Sequence, residues 1–170
     1  MQVEGLRIRH AEPEDYRDAH EIFSGPRAFA GTLQLPFPSL EHWRKRFAEP
    51  DAGFYGLVAV AGDHVVGWLG LQTFPDRPRR RHAGTVGLVV HDEWQGKGIG
   101  KALLHECVEM ADRWLNLKRL ELEVYTDNEP AIRLYERFGF EREGTLRQYA
   151  FRDGRYVDVY QMARLQPAAQ

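Results

Sequence analysis

Cysteine is almost absent from the chain: Cys107 is the only one in 170 residues, so no internal disulfide can form. Its neighbours Leu103, Leu104, Val108 and Ala111 point to a buried, reduced thiol, which suits a reducing cytoplasm. Long apolar runs are missing as well. No stretch approaches the roughly 18 apolar residues of a membrane span, and Met1 to Ala11 alternates polar and apolar residues, so neither export nor membrane insertion is expected. Charge of one sign is not in excess: 23 Lys and Arg against 25 Asp and Glu leave a net charge of −2. A duplex-binding surface is not expected from that balance, and any anion site must be local. Zinc spacing among the seven His and one Cys is lacking, as are a calcium loop and a serine nucleophile motif, so no metal and no acyl-enzyme are expected. What remains is ordinary globular material, 43% apolar with 16 Gly and 9 Pro, read as one domain over residues 1–170 that buries roughly 70% of its unfolded surface.

Polar and apolar residues alternate around Leu6, Ile8 and His10, and Pro13 with Glu14 and Asp15 then opens a helix that runs to about Phe23. Ser24, Gly25 and Pro26 stop it, and a second short helix starts at Ser39. The intervening stretch Gly25 to Pro38 reads as a long loop, a length more often functional than idle. Phe54 to Ala61 and His64 to Gln72 form a hairpin about Gly62 and Asp63, and Ala83 to Val90 is a third strand with Gly84 and Gly87 inside it. After the turn Gln95 to Gly100 comes a helix with Ile99, Leu103, Cys107, Met110, Ala111 and Trp114 on its inner stripe. Leu120 to Val124 is then a strand parallel to Ala83–Val90, joined by a right-handed crossover. Pro130 opens a helix that Gly139 closes, and Leu146–Phe151 with Tyr156–Ala163 make a last hairpin about Asp153 and Gly154. The fold class is α/β with a mixed sheet.

Between a strand end and a helix start, Gln95-Gly96-Lys97-Gly98-Ile99-Gly100-Lys101 exposes backbone N–H groups that have no intrahelical partner. Glycines admit a bulky anion, and a helix N-terminus favours one by about 0.3 to 2 kcal/mol. A packing turn is the plainer reading. A Walker turn requires Ser or Thr where Ala102 stands, and a dinucleotide turn requires glycine where Lys101 stands, although Glu121 imitates its ribose ligand.

Gln95, Gly98 and Gly100, followed by Asn128, Ala131, Leu134, Tyr135, Gly139 and Phe140, resemble the motifs of the GNAT superfamily of acyl-CoA-dependent N-acyltransferases, over nearly the whole chain. Thr32 to Pro36, Arg77 to Arg80 and Gly154 to Ala163 are similar to small bacterial members of the YhhY type, which acetylate amino acids or small amines. The resemblance implies a largely antiparallel mixed sheet with a splayed parallel central pair, helices on both faces, and acetyl-CoA as donor. It implies that the main chain of Leu88, Val89 and Val90 holds the pantetheine arm, that Gln95, Gly96, Lys97, Gly98, Ile99, Gly100 and Lys101 wrap the pyrophosphate, and that Asn128 contacts the coenzyme near its sulfur. A bulge at Gly87 would part the strands, and an N–H near Val89 would polarise the thioester.

Tyr135 is the implied proton donor to the departing thiolate, and Thr32, Gln34 and Tyr149 the implied acceptor wall. No base stands out among Glu121, Glu123, His64, His82, His91 and His105. A peptide α-amino group of pKa about 7.8 costs about 1.1 kcal/mol to neutralise at pH 7 against about 4.6 for a lysine-like amine, which leans toward an α-amine, and with what the resemblance implies the expected acceptor is a small molecule such as an amino acid or short peptide, acetylated directly in a ternary complex. Relatives also pair as homodimers through their C-terminal strands. Alternatives of other classes are an acyl-CoA sensor without catalysis, a dinucleotide enzyme, and acetylation of a protein N-terminus, an antibiotic or a polyamine. The run Arg77 to Arg81 lies at the wrong end of its strand for a pyrophosphate and reads as a solvated loop rather than a nucleic-acid patch.

Overall fold

The computed structural model describes residues 3–166. Seven strands form one sheet in the order β1-β2-β3-β4-β5-β7-β6, with β1 Arg7–His10, β2 Phe54–Ala61, β3 His64–Thr73, β4 Ala83–Val90, β5 Arg119–Tyr125, β6 Glu141–Arg152 and β7 Arg155–Leu165. Only β4 and β5 run parallel; every other pair is antiparallel. The crossover between them is α4, Ile99–Arg113, and the chain then passes through α5, Glu129–Arg137, before the last hairpin.

Side-chain alternation divides the sheet into two apolar faces. On one face Leu69, Leu71, Leu122 and Val124 pack with Ile99, Leu103 and Cys107 of α4 and with Ile132 of α5. On the other, Val58, Val60 and Trp68 pack with Ala19, Ile22 and Phe23 of α1 (Tyr16–Ser24) and with Trp43 of α3 (Leu40–Ala48). Ser39 caps α3 by accepting from the His42 N–H at 3.2 Å, and Gly139, at φ 83°, ends α5 so that Phe140 turns back into the core.

Three expectations need correction. The stretch Gly25–Pro38 is not loop throughout: Pro26–Ala30 forms a short helix, α2, because Pro26 occupies the first helical position, where its missing N–H costs nothing. Trp114 does not join the inner stripe of α4. It stands 82% exposed at the helix end, where the chain departs, and Leu117 fills the core beyond it. Gly87 is not a bulge, since the β3–β4 ladder runs without a register shift from Gly67 opposite Val90 to Thr73 opposite Gly84.

Candidate active site

Although Gly87 does not bulge, the parallel pair still parts. β4 and β5 are paired only at Ala83–Thr85 with Arg119–Glu121, whereas β5 stays with β7 through Tyr125 and β4 stays with β3 through Val90. Each strand keeps its antiparallel partner, and a gap opens between them. The His91 N–H donates to the Val66 carbonyl at 2.9 Å, which fixes the parity of the ladder. Val89 therefore turns its N–H toward β3, the Val86 N–H closes the last β4–β5 ladder bond beside Thr85 and Glu121, and Leu88 and Val90 turn theirs into the gap. The carbonyl-polarising donor expected near Val89 thus falls to Leu88 or Val90. One acceptor in the gap is already used, because Gln95 Nε2 donates to the Val90 carbonyl at 3.2 Å.

Past β4 a short 3-10 turn, Asp92–Trp94, leads into the glycine segment. Gly96 and Gly98 adopt φ of 76° and 86°, and a side chain on either would meet nothing within 4 Å. Left-handed backbone of this kind disfavours any residue with a Cβ and faces the N–H groups outward. Among the described residues, no backbone N–H from Gln95 to Lys101 donates to a protein acceptor. They open onto a cavity of about 1010 Å³, lined also by Arg27, Lys101, Arg137 and Arg152. Asp127 and Asp153 also line it, with Arg152 paired to Asp127, and the unmet N–H donors at the helix mouth, with Lys101 and Arg137 beside them, fit the diphosphate of a coenzyme. Lys97 stands apart from this lining, with its ammonium 4.8 Å from the centroid of Trp94.

Asp92 joins the turn to α2. Its carboxylate accepts from the N–H groups of Arg27 at 2.9 Å and Ala28 at 2.7 Å, so the turn that leads into the glycine segment caps a helix some 65 positions earlier. Gly25 leaves room for it, since a Cβ there would come within 3.0 Å of the Asp92 carboxyl carbon. A second cavity, of about 360 Å³, lies on the α1/α3 face of β3, β4 and β5. The two cavities share Thr32, Leu88, Val89, Tyr125, Asn128 and Tyr135 as lining, so they meet at the gap.

The model of the acetyltransferase (GNAT) family matches residues 14–140. The chain belongs to the GNAT family of acetyltransferases. It is 44% identical to the L-amino acid N-acetyltransferase AaaT of Escherichia coli (strain K12), across 93% of this chain and 96% of that protein. Among solved structures, the spermidine N-acetyltransferase of Vibrio cholerae in complex with CoA and spermine superposes with a TM-score of 0.81 at 26% identity, covering 95% of each chain. The ribosomal-protein-alanine N-acetyltransferase of Brucella melitensis gives 0.79 at 29% identity, covering 94% of this chain and 99% of that one.

In this GNAT enzyme, Tyr135 is 6% exposed and its ring lies 5.8 Å from that of Phe140. Its hydroxyl makes no hydrogen bond to the described residues, and burial pushes the phenol up to about 12. Asn128 does both things its position allows: Oδ1 accepts from the Ala131 N–H at 3.3 Å, and the residue lines both cavities. Thr32 borders both cavities; its carbonyl accepts from the Tyr125 hydroxyl at 3.1 Å. Gln34 and Tyr149 line the second cavity. The Tyr149 hydroxyl donates to Glu123, and that bond, with burial and the Glu123 charge, pushes Tyr149 up to about 12.

Of the six groups considered as a base, Glu123 alone lines either cavity. Glu121 is held by Arg80 and Arg119, and His64 lies exposed beside Asp18. Sequence reasoning did not single out Arg46, Asp92, Tyr125, Arg137 or Arg152. None of them carried a local signal, since Asp92 meets α2 some 65 positions away and the others are likewise united only by topology.

Proposed function

We propose that this enzyme acetylates the α-amino group of a free amino acid, with acetyl-CoA as donor and both substrates bound together. The observation that carries the reading is the junction of a long cavity, rimmed by unmet N–H donors, with a smaller one at Tyr135. The similarity to an L-amino acid N-acetyltransferase supports the choice of acceptor.

Acetyl-CoA, when bound, supplies an acetyl group activated as a thioester. The residues from Gln95 to Lys101 would hold its diphosphate, with Lys101 and Arg137 adding charge, and the main chain of Leu88 and Val90 would bind the extended arm as a further strand does. The N–H of Leu88 or Val90 would polarise the carbonyl, a type of donor whose loss costs about 2.7 to 4 kcal/mol. Glu123, oriented by Tyr149, receives the proton of the acceptor ammonium, and Tyr135 delivers one to the leaving sulfur. Thr32, Gln34 and Tyr149 enclose the acceptor.

Residues 1–170 act as one domain in this reading, in the reducing cytoplasm, where a free Cys107 persists. A homodimer through the C-terminal hairpin is part of it, supported by the exposed Phe151 and Tyr156 at the edge of the sheet. The test is thiol release from acetyl-CoA across amino acids, dipeptides, polyamines, aminoglycosides and peptide N-termini. Amino acids should give the highest kcat/KM, and binding of acetyl-CoA with no thiol release for any amine would make the protein a sensor instead.

A further inference from the structure

Two formally charged side chains line the second cavity, one of each sign: Arg46 and Glu123. Arg46 projects from the last turn of α3, its guanidinium carbon 5.2 Å from the centroid of Trp43 and 5.6 Å from that of Trp68. Stacking of this kind occupies the flat face of the group and leaves the in-plane N–H donors for a planar, bidentate partner. Other arginines of the chain already have one: Arg9 holds Asp15, Arg119 holds Glu143, and Arg164 holds Asp112. Among the described residues Arg46 joins no ion pair and no side-chain hydrogen bond, and Asp51 acts on it only through space. It is an arginine fixed in direction and accessible to a solute.

Its place in the sheet gives the distance that matters. Trp68, beneath Arg46, stands opposite Val89 in the ladder, and strand alternation puts Glu123 on the same face two strands away. Paired strands lie about 4.8 Å apart and β5 has parted from β4 by Glu123, so the backbones carrying Trp68 and Glu123 are at least about 10 Å apart and the two charges bracket the gap above β4. The floor between them carries no side chain at Gly87, where a Cβ would meet nothing within 4 Å. An α-amino acid bears ammonium and carboxylate on one carbon, and charge-assisted hydrogen bonds of about 2.8 Å at each end fill most of that span.

We infer that Arg46 binds the α-carboxylate of the acceptor while Glu123 faces its amine, so that the second cavity selects free amino acids over amides and decarboxylated amines. This rests on the acetyl transfer proposed above and names a specificity residue for it. Phe23, Phe54 and Trp68 form the remaining wall, so an apolar amino acid is the suitable probe.

The experiment compares L-leucine, L-leucinamide and 3-methylbutylamine by thiol release at saturating acetyl-CoA, for the wild type and for Arg46→Met, Arg46→Lys and Arg46→Glu. Arg46→Met should raise the KM for leucine about tenfold to a hundredfold with kcat within threefold, and lower the leucine-to-leucinamide ratio of kcat/KM by at least tenfold. Intrinsic differences in amine reactivity cancel when that ratio is compared between Arg46→Met and the wild type. Arg46→Lys should recover part of the preference and Arg46→Glu should reverse it. Quenching of tryptophan fluorescence by leucine, titrated with coenzyme A present, should be lost in Arg46→Met and reports binding without turnover. Equal losses for leucine and leucinamide, as misfolding would give, or a wild type that treats the two alike, would overturn the carboxylate assignment and leave the acetyltransferase reading standing. No thiol release from any of the three would overturn both.

Discussion

Replacing Tyr135 with phenylalanine isolates one oxygen. The ring keeps its place beside Phe140, and the hydroxyl that is lost has no protein partner, so stability at neutral pH should change by under about 1 kcal/mol. The chemical consequence depends on whether the phenol can protonate a thiolate. In water the mismatch is about 1.5 pKa units, or about 2 kcal/mol uphill. The fold itself indicates how burial alters this: the Cys107 thiol rises from 9.0 to about 12, and Tyr135 rises from 10.0 to about 12. Apolar surroundings therefore shift a thiol and a phenol in the same direction, so burial does not by itself widen the mismatch. A positioned acid of this kind contributes about 10²- to 10⁴-fold. Tyr135→Phe should lower kcat by that factor while the dissociation constant for acetyl-CoA, measured by calorimetry, moves less than threefold. The sign of the pH effect also follows. A folded pKa raised above its unfolded value stabilises the fold fully below about pH 10, and this contribution is lost as pH rises through about 12. Wild-type melting temperatures should thus fall over that window more steeply than those of Tyr135→Phe, and kcat should show no alkaline limb from this residue below about pH 10. A variant kcat within fivefold of wild type would refute the assignment.

Gly98→Ala places a Cβ at φ 86°, at a cost of about 1 to 2 kcal/mol, and since the space around it is open the strain shifts the N–H donors rather than the packing. The dissociation constant for acetyl-CoA should rise about tenfold by calorimetry, and an unchanged value would mean that the turn does not hold the coenzyme. Asp92→Ala removes both acceptors at the start of α2, which should cost about 1 to 2 kcal/mol and lower Tm by roughly 2 to 8 °C in thermal unfolding, with a severalfold rise in the KM for acetyl-CoA. An undisturbed Tm would show that α2 is held by other contacts. Cys107, fully buried and with its thiol pushed up to about 12, should resist iodoacetamide at pH 8 and react within minutes in guanidinium chloride, as followed by mass spectrometry. Rapid labelling of the native protein would contradict the packing of α4.

Local chemistry made the donor half of the site legible. Gly96, Gly98 and Gly100 stand together in the chain, and the Asn128, Ser39 and Gly139 caps act within four residues of themselves, so their meaning does not wait on the fold. The acceptor half is assembled from distant parts. Arg46 and Glu123 are charges on separate surface-like segments until β3, β4 and β5 bring their faces together, and Asp92 reads as an acidic turn residue until α2 arrives beneath it. The gap between β4 and β5 is also a property of the whole sheet, since each strand follows its own antiparallel neighbour and no residue in either announces the divergence.

Tyr149, implied above by resemblance alone, is placed by an irregular backbone that strand alternation does not foresee. Strict alternation from Leu146 to Phe151 would give each residue one partner on β7, yet Leu146 pairs with Val159 and Ala150 with Val157, so Arg147, Gln148 and Tyr149 together oppose Asp158. Gln148 adopts φ 52°, and its N–H donates to the Asp158 carboxylate at 2.7 Å, which secures the irregularity. The three extra atoms of backbone per residue re-aim the strand at that point, and Tyr149 swings toward Glu123. A regular β6 would have kept the hairpin and lost the hydrogen bond that orients Glu123, the one carboxylate that lines the second cavity among the described residues.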